Sequence, residues 1–117
     1  ASIHLSSRTP YIYMGEEIGM VNPDYDSMAD YVDVESINAY QMLLDQGKSP
    51  EQAFKITQAK SRDNSRTPMQ WDASENAGFS TGTPWLKAGK SYKDINVENE
   101  INGSIFKFYK ELIRLIL

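Results

Sequence analysis

The sequence has no cysteine and a single histidine, His4. Without thiols there is no disulfide framework and no thiolate metal site, and nothing points to an oxidising compartment. His4 lacks a ligand-type companion nearby and reads as structural. Charge of one sign is never concentrated: 12 Lys and Arg stand against 16 Asp and Glu, for a net charge of −4. No basic run therefore favours nucleic acid or an anionic membrane as a partner. No apolar run reaches the roughly 18 residues of a membrane span, and "ASIHLSSRTP" lacks the apolar stretch of a secretory leader. If the ends are natural, the expected location is cytoplasmic. Internal repeats, low-complexity segments, a glycine-rich phosphate loop, G-x-S-x-G and a Cys–His pair are all missing. Asp24, Asp26, Asp30 and Asp33 lack the D-x-D-x-D-G spacing and the twelfth-position glutamate of a calcium loop, so no metal site is expected.

What is present is a chain of 117 residues, 40% hydrophobic and 24% charged, ordinary for a soluble globular protein and one domain's worth at most. "ASIHLSS" reads as the end of a helix. Tyr11, Ile12 and Tyr13, between Pro10 and Gly15, predict a short strand buried on both faces. Asp33 is placed to cap a helix through about Gln46, ended by Gly47. Ser49-Pro50-Glu51-Gln52 is a capping box with proline at the first helical position, predicting a helix to about Lys60 or Ser61. Residues 62–102 show little regular pattern, and loops of such length usually carry function. A final helix is marked by Ile105, Phe108, Tyr109, Leu112 and Ile116 on one face, with Lys107, Lys110, Glu111 and Arg114 opposite. Its apolar face, like a lone buried strand, needs more partner surface than the chain offers. Alone, the chain should expose hydrophobic surface or self-associate.

Three groups are candidates for binding or chemistry. In "SRDNSRTPMQWD", Ser61 to Asp72, Arg62 and Arg66 either form loop salt bridges with Asp63 or clamp a polar ligand. A guanidinium is always charged and presents a rigid fork of donors suited to carboxylates and sugar hydroxyls. Glu16 and Glu17 would serve acid–base work only if they converged. Adjacent residues usually diverge, which favours one solvated glutamate and one bonded to loop backbone. Trp71, Phe79 and Trp85 either stack on sugar faces or pin the long loop to a core.

"TPYIYMGEEIGM" and "SRDNSRTPMQWD…NAGFSTGTPW" resemble the oligosaccharide-cleaving branch of the α-amylase family of glycoside hydrolases, over about Ile3 to Leu115. The resemblance implies an α/β fold, a fragment of a (β/α)8 barrel. The whole of 1–117 would be the C-terminal part of the catalytic domain: the end of helix 7, strand 8, an enlarged loop 8 from Met20 to Asn102, and helix 8. Active sites of such barrels lie on the face that loop 8 joins. The implied function is release of glucose from the non-reducing end of trehalose 6-phosphate or short α-1,6-linked glucosides by a retaining two-carboxylate mechanism without a cofactor. The nucleophile, the acid/base and the supporting aspartate would lie upstream, so no acidic residue here takes those roles. By motif, Arg66 first and Arg62 second would reach the terminal glucosyl unit with an upstream aspartate. The implied partners are a small carbohydrate, the rest of the barrel upstream and a β-sandwich domain downstream. Ser61 before Arg62 leans towards trehalose-6-phosphate hydrolases; oligo-1,6-glucosidases more often carry glycine there. Lys60, Lys87 and Lys90 are open as phosphate contacts. Two departures stand out: Arg8 replaces the usual glycine before "TPYIY", and "LIRLIL" stops where relatives continue. The alternative is a non-catalytic sugar-binding or interaction module that keeps the loop and lacks the carboxylates.

Overall fold

A computed structural model describes residues 11–116. The helix end expected over 1–7, His4 and Arg8 lie outside that range. Regular structure among the described residues is helical: α1 (Val34–Asp45), α2 (Pro50–Lys60), α3 (Val97–Glu100) and α4 (Ser104–Ile116), with 3-10 turns at Glu16–Ile18, Met28–Asp30, Arg62–Ser65, Glu75–Gly78 and Lys90–Lys93.

Local chemistry accounts for α1 and α2. The Asp33 carboxylate accepts from the Ser36 N–H at 3.2 Å and from the Ser36 hydroxyl at 2.8 Å, satisfying a donor that the first turn leaves free. At the other end Gly47 takes φ 92, a left-handed conformation that only glycine adopts without strain. Its N–H donates to the Leu44 carbonyl at 3.0 Å. The Ser49 half of the capping box is formed, with Oγ accepting from the Gln52 N–H at 3.2 Å and Pro50 at the first helical position. Glu51 in the first turn and Lys60 in the last both complement the helix dipole. The short connection lets α2 pack back on α1.

A small aromatic core holds the long loop to these helices. Tyr25, Tyr31 and Leu86 are buried together, with Met28, Val32 and Phe54 packed around them. The Tyr25 and Tyr31 rings meet edge-on at 5.2 Å, and Tyr31 meets Phe54 at 6.4 Å, favourable geometries for ring quadrupoles. The Tyr25 hydroxyl donates to the Lys87 carbonyl, and Gln58 of α2 donates to the Tyr25 carbonyl at 2.9 Å. A second anchor is the fully buried Gln70, whose amide donates to the Ile95 carbonyl. Its own carbonyl accepts from Val97, and that of Trp71 accepts from Glu98, at 3.0 and 3.1 Å, so the one-turn α3 is docked on this segment. Gly89 lies so close that a β-carbon there would stand 3.1 Å from the Pro23 Cα.

Two expectations are corrected. Residues 11–13 have no regular secondary structure, and no strand occurs among the described residues. A strand exists through its ladder with a neighbour, and the described residues supply none. Tyr11 and Tyr13 are 78% and 52% exposed, so the expected burial on both faces is not found either. The helix over 97–100 was not anticipated. For α4 the expected face is present but only partly covered: Leu112 is buried, Tyr109 and Ile116 are half-buried, and Ile105 and Phe108 are exposed. The Tyr109 hydroxyl donates to Glu16 at 3.0 Å and ties α4 to the Glu16–Ile18 turn.

Candidate functional site

The stretch Ser61–Asp72 begins where α2 ends. Ser61 caps both elements that meet there: its N–H donates to the Thr57 carbonyl, and its Oγ accepts from the Asp63 N–H at 3.2 Å. The Ser61 and Ser36 hydroxyls also share a hydrogen bond of 2.8 Å. The end of α2 is thus tied to the start of α1. Asn64 strengthens the junction by donating to the Gln58 carbonyl at 2.9 Å.

Asp63 is the centre of this junction. It is fully buried, and its Oδ2 accepts from the backbone N–H groups of Val32 and Asp33 at 2.8 and 2.9 Å. Its Oδ1 is buried with no hydrogen-bond partner. The nearest cation is Arg66, whose Nη1 lies 3.8 Å from Oδ1, too far for a hydrogen bond but within ion-pair range. The Arg66 N–H also donates to the Asp63 carbonyl at 3.0 Å, closing the turn.

The two arginines therefore do not act as a pair. Arg62 forms a salt bridge with Glu35 in the first turn of α1, both side chains being exposed. Arg66 returns to Asp63, with 40% of its side chain exposed. Arg62 also lines a cavity of about 270 Å³ between α1 and α2, with Glu35, Ser36, Leu43, Ile56 and Lys60. A cavity of about 180 Å³ lies where Tyr13–Asn22 faces Asn64, Ser65 and Thr67. It is closed on one side by the Tyr13 hydroxyl donating to the Ser65 carbonyl. Beside the arginines, the Asp33 carboxyl is held below the usual carboxylate range, chiefly by the Ser36 hydroxyl, then by backbone N–H groups and by the charge of Arg62.

The other candidates separate. Glu17 accepts from the Gly15 N–H at 3.0 Å, and Glu16 accepts from Tyr109. The adjacent carboxylates diverge and make no acid–base pair. Trp71, Phe79 and Trp85 are all exposed, so they do not pin the loop; Tyr25, Leu86 and Gln70 do. Lys87 pairs with Asp30 at 3.0 Å and lies 5.5 Å from the Tyr25 ring centre, and Lys90 pairs with Asp26. Lys60 lines the cavity between α1 and α2. The roles of Ser36 and of the Val32 and Asp33 N–H groups had no signal in the motif, because they come from a segment about 30 residues away.

Comparison with known proteins places the chain. Residues 1–116 match the family model described as alpha amylase, catalytic domain. The trehalose-6-phosphate hydrolase of Bacillus subtilis (strain 168) is 48% identical over 116 residues, covering 97% of this chain and 21% of that protein. The oligo-1,6-glucosidase of Parageobacillus thermoglucosidasius is 47% identical over 116 residues, with the same coverage of 97% and 21%. Among solved structures, a trehalose-6-phosphate hydrolase of Bacillus licheniformis superposes with a TM-score of 0.86 at 53% identity, over 92% of this chain and 20% of that one. An isomaltulose synthase of Erwinia rhapontici NX5 superposes with a TM-score of 0.83 at 44% identity, over 98% and 21%. The chain spans about a fifth of the length of the curated relatives it matches.

Proposed function

The chain belongs to the alpha-amylase catalytic-domain family, and from that premise we propose that it works as the C-terminal part of the (β/α)8 barrel of an α-glucosidase. In this reading residues 1–117 carry the end of helix 7, strand 8, the enlarged loop 8 and, as α4, helix 8. The partly covered apolar face of α4 and the exposed Tyr11 and Tyr13 suit a position against further barrel elements. The parent hydrolyses trehalose 6-phosphate or short α-1,6-linked glucosides from the non-reducing end, in the cytoplasm and without a cofactor. The rest of the barrel lies upstream and a β-sandwich downstream. The nucleophile, the acid/base and the supporting aspartate come from the upstream part. One carboxylate attacks the anomeric carbon while the other protonates the leaving oxygen, and water then cleaves the glycosyl-enzyme.

This chain contributes the wall of the glucose subsite. The observation that carries the assignment is the different engagement of the two arginines. Arg62 is occupied by Glu35, whereas Arg66 rests 3.8 Å from Asp63 with no hydrogen bond to that carboxylate and its side chain 40% exposed. Arg66 therefore keeps its donor fork for a sugar hydroxyl and an upstream aspartate, and Arg62 is the second choice. In the full-length enzyme Arg66→Ala should lower kcat/KM strongly and Arg62→Ala less. An Arg66→Ala enzyme within about twofold of wild type, roughly 0.4 kcal/mol, refutes the subsite assignment.

Substrate is read by glucose release from trehalose 6-phosphate and from isomaltose, side by side. The 53% identity to a trehalose-6-phosphate hydrolase favours the phosphate ester. The likeness to an isomaltulose synthase supports a second reading, rearrangement of sucrose, which an assay on sucrose separates by its disaccharide product. No turnover of any of the three by purified full-length protein would favour a non-catalytic sugar-binding module.

A further inference from the structure

We propose that Asp63 is the positioning residue for Arg66, acting through its charge rather than through the fold of the turn. This rests on the reading of Arg66 as a substrate contact. Asp63 is divided between two tasks. Oδ2 is consumed by the Val32 and Asp33 N–H groups, which fix the carboxylate against the start of α1. Oδ1 is fully desolvated and accepts no hydrogen bond. A buried carboxylate oxygen left in this way costs free energy that an apolar side chain would avoid. Bonding the two N–H groups requires only one acceptor oxygen, which asparagine also supplies. What asparagine lacks is the negative charge 3.8 Å from the Arg66 Nη1. At that distance the attraction is undirected and is screened by solvent on the exposed side of Arg66. It restrains the guanidinium without using its donor fork, and leaves the N–H groups for a ligand.

The mounting is rigid for reasons independent of Arg66. The Ser36–Ser61 bond and the Asp63 N–H to Ser61 contact join α1, α2 and the turn. A carboxylate on such a base limits where a half-exposed guanidinium can lie, which is the preorganisation that binding requires. Arg62, whose partner Glu35 is itself exposed, has no comparable mount.

The test is a double-mutant cycle in the full-length enzyme: Asp63→Asn, Arg66→Ala and the pair, with kcat/KM measured on the better of trehalose 6-phosphate and isomaltose. Asp63→Asn is expected to lower kcat/KM by roughly tenfold or more when Arg66 is present and by less than about twofold when it is alanine. A loss of equal size in both backgrounds overturns the proposal and makes Asp63 a folding residue only, while leaving the role of Arg66 intact. A neutral Arg66→Ala instead removes the subsite reading, and the positioning role with it. If Asp63→Asn reduces the folded fraction, rates are taken per active site after titration with a covalent glucosyl inactivator. If it does not fold, Asp63→Glu, which keeps the charge but moves it, replaces it in the same cycle with the same criterion.

Discussion

Replacing Ser61 by glycine is the change that most directly separates scaffold from specificity at this junction. The resemblance leans on serine there for trehalose 6-phosphate, with glycine expected in oligo-1,6-glucosidases. In the structure the Ser61 hydroxyl is already committed. It accepts from the Asp63 N–H at 3.2 Å and shares a 2.8 Å bond with Ser36, and the residue is buried. Both contacts lie within the junction itself and give the hydroxyl a structural task. Loss of the buried hydroxyl pair costs about 1 kcal/mol. Glycine as the cap of the Arg62–Ser65 turn costs a few tenths more. Ser61 has φ −60 and ψ 138, a conformation open to any residue, so glycine relieves no strain and adds about 0.5–1 kcal/mol of chain entropy. Together these effects weaken the junction by about 2 kcal/mol, or roughly 30-fold in its opening equilibrium. Amide exchange reads this at Val32, Asp33 and Arg66, whose N–H groups all bond to Asp63. The expectation is about 30-fold faster exchange in Ser61→Gly, with the ratio of kcat/KM for trehalose 6-phosphate over isomaltose unchanged within about twofold. Unchanged exchange together with a tenfold swing towards isomaltose would refute the reasoning and make Ser61 a specificity residue.

The remaining perturbations test other parts of the scaffold. Because the Asp33 carboxyl is held below its ordinary value when folded, chiefly by the Ser36 hydroxyl, its contribution is complete above the unfolded value of about 3.9 and is lost as pH falls through the lower folded one. Exchange at the α1 N-terminus should accelerate in that acid range, and Asp33→Asn, which keeps a cap, should abolish the dependence; an unchanged acid profile in Asp33→Asn counts against it. Leu86→Ala should cost about 2–5 kcal/mol, since Leu86 is buried against Tyr25 and Tyr31; a loss under about 1 kcal/mol in the urea transition of the segment would show the aromatic core to be dispensable. Gly47→Ala meets no atom within 4 Å but must hold φ 92, so a loss of about 1 kcal/mol should come from backbone strain alone. Gly47→Asn, which tolerates that conformation better, should recover part of it.

How much was readable in advance follows the range of the forces involved. The limits of α1 and α2 are set by Asp33, Gly47, Ser49 and Pro50 acting on groups within four residues, and so are legible in one dimension. The apolar face of α4 was legible for the same reason, since helical spacing alone gathers Ile105, Phe108, Leu112 and Ile116. The strand at 11–13 was not, because a strand is made by its neighbour, and β-forming side chains do not supply one. Arg62 and Arg66 stood out as a motif, but their engagement did not. The salt bridge to Glu35 and the buried mount of Asp63 depend on residues 31–36 folding against 61–66. By itself the sequence determined α1, α2 and α4, the caps of α1 and α2, the absence of thiol chemistry and the family. Only tertiary structure decided which arginine stays available, which carboxylate holds it, and that Trp71, Phe79 and Trp85 face outward. Contacts across 30 residues of chain are settled by packing and desolvation, which no local pattern encodes.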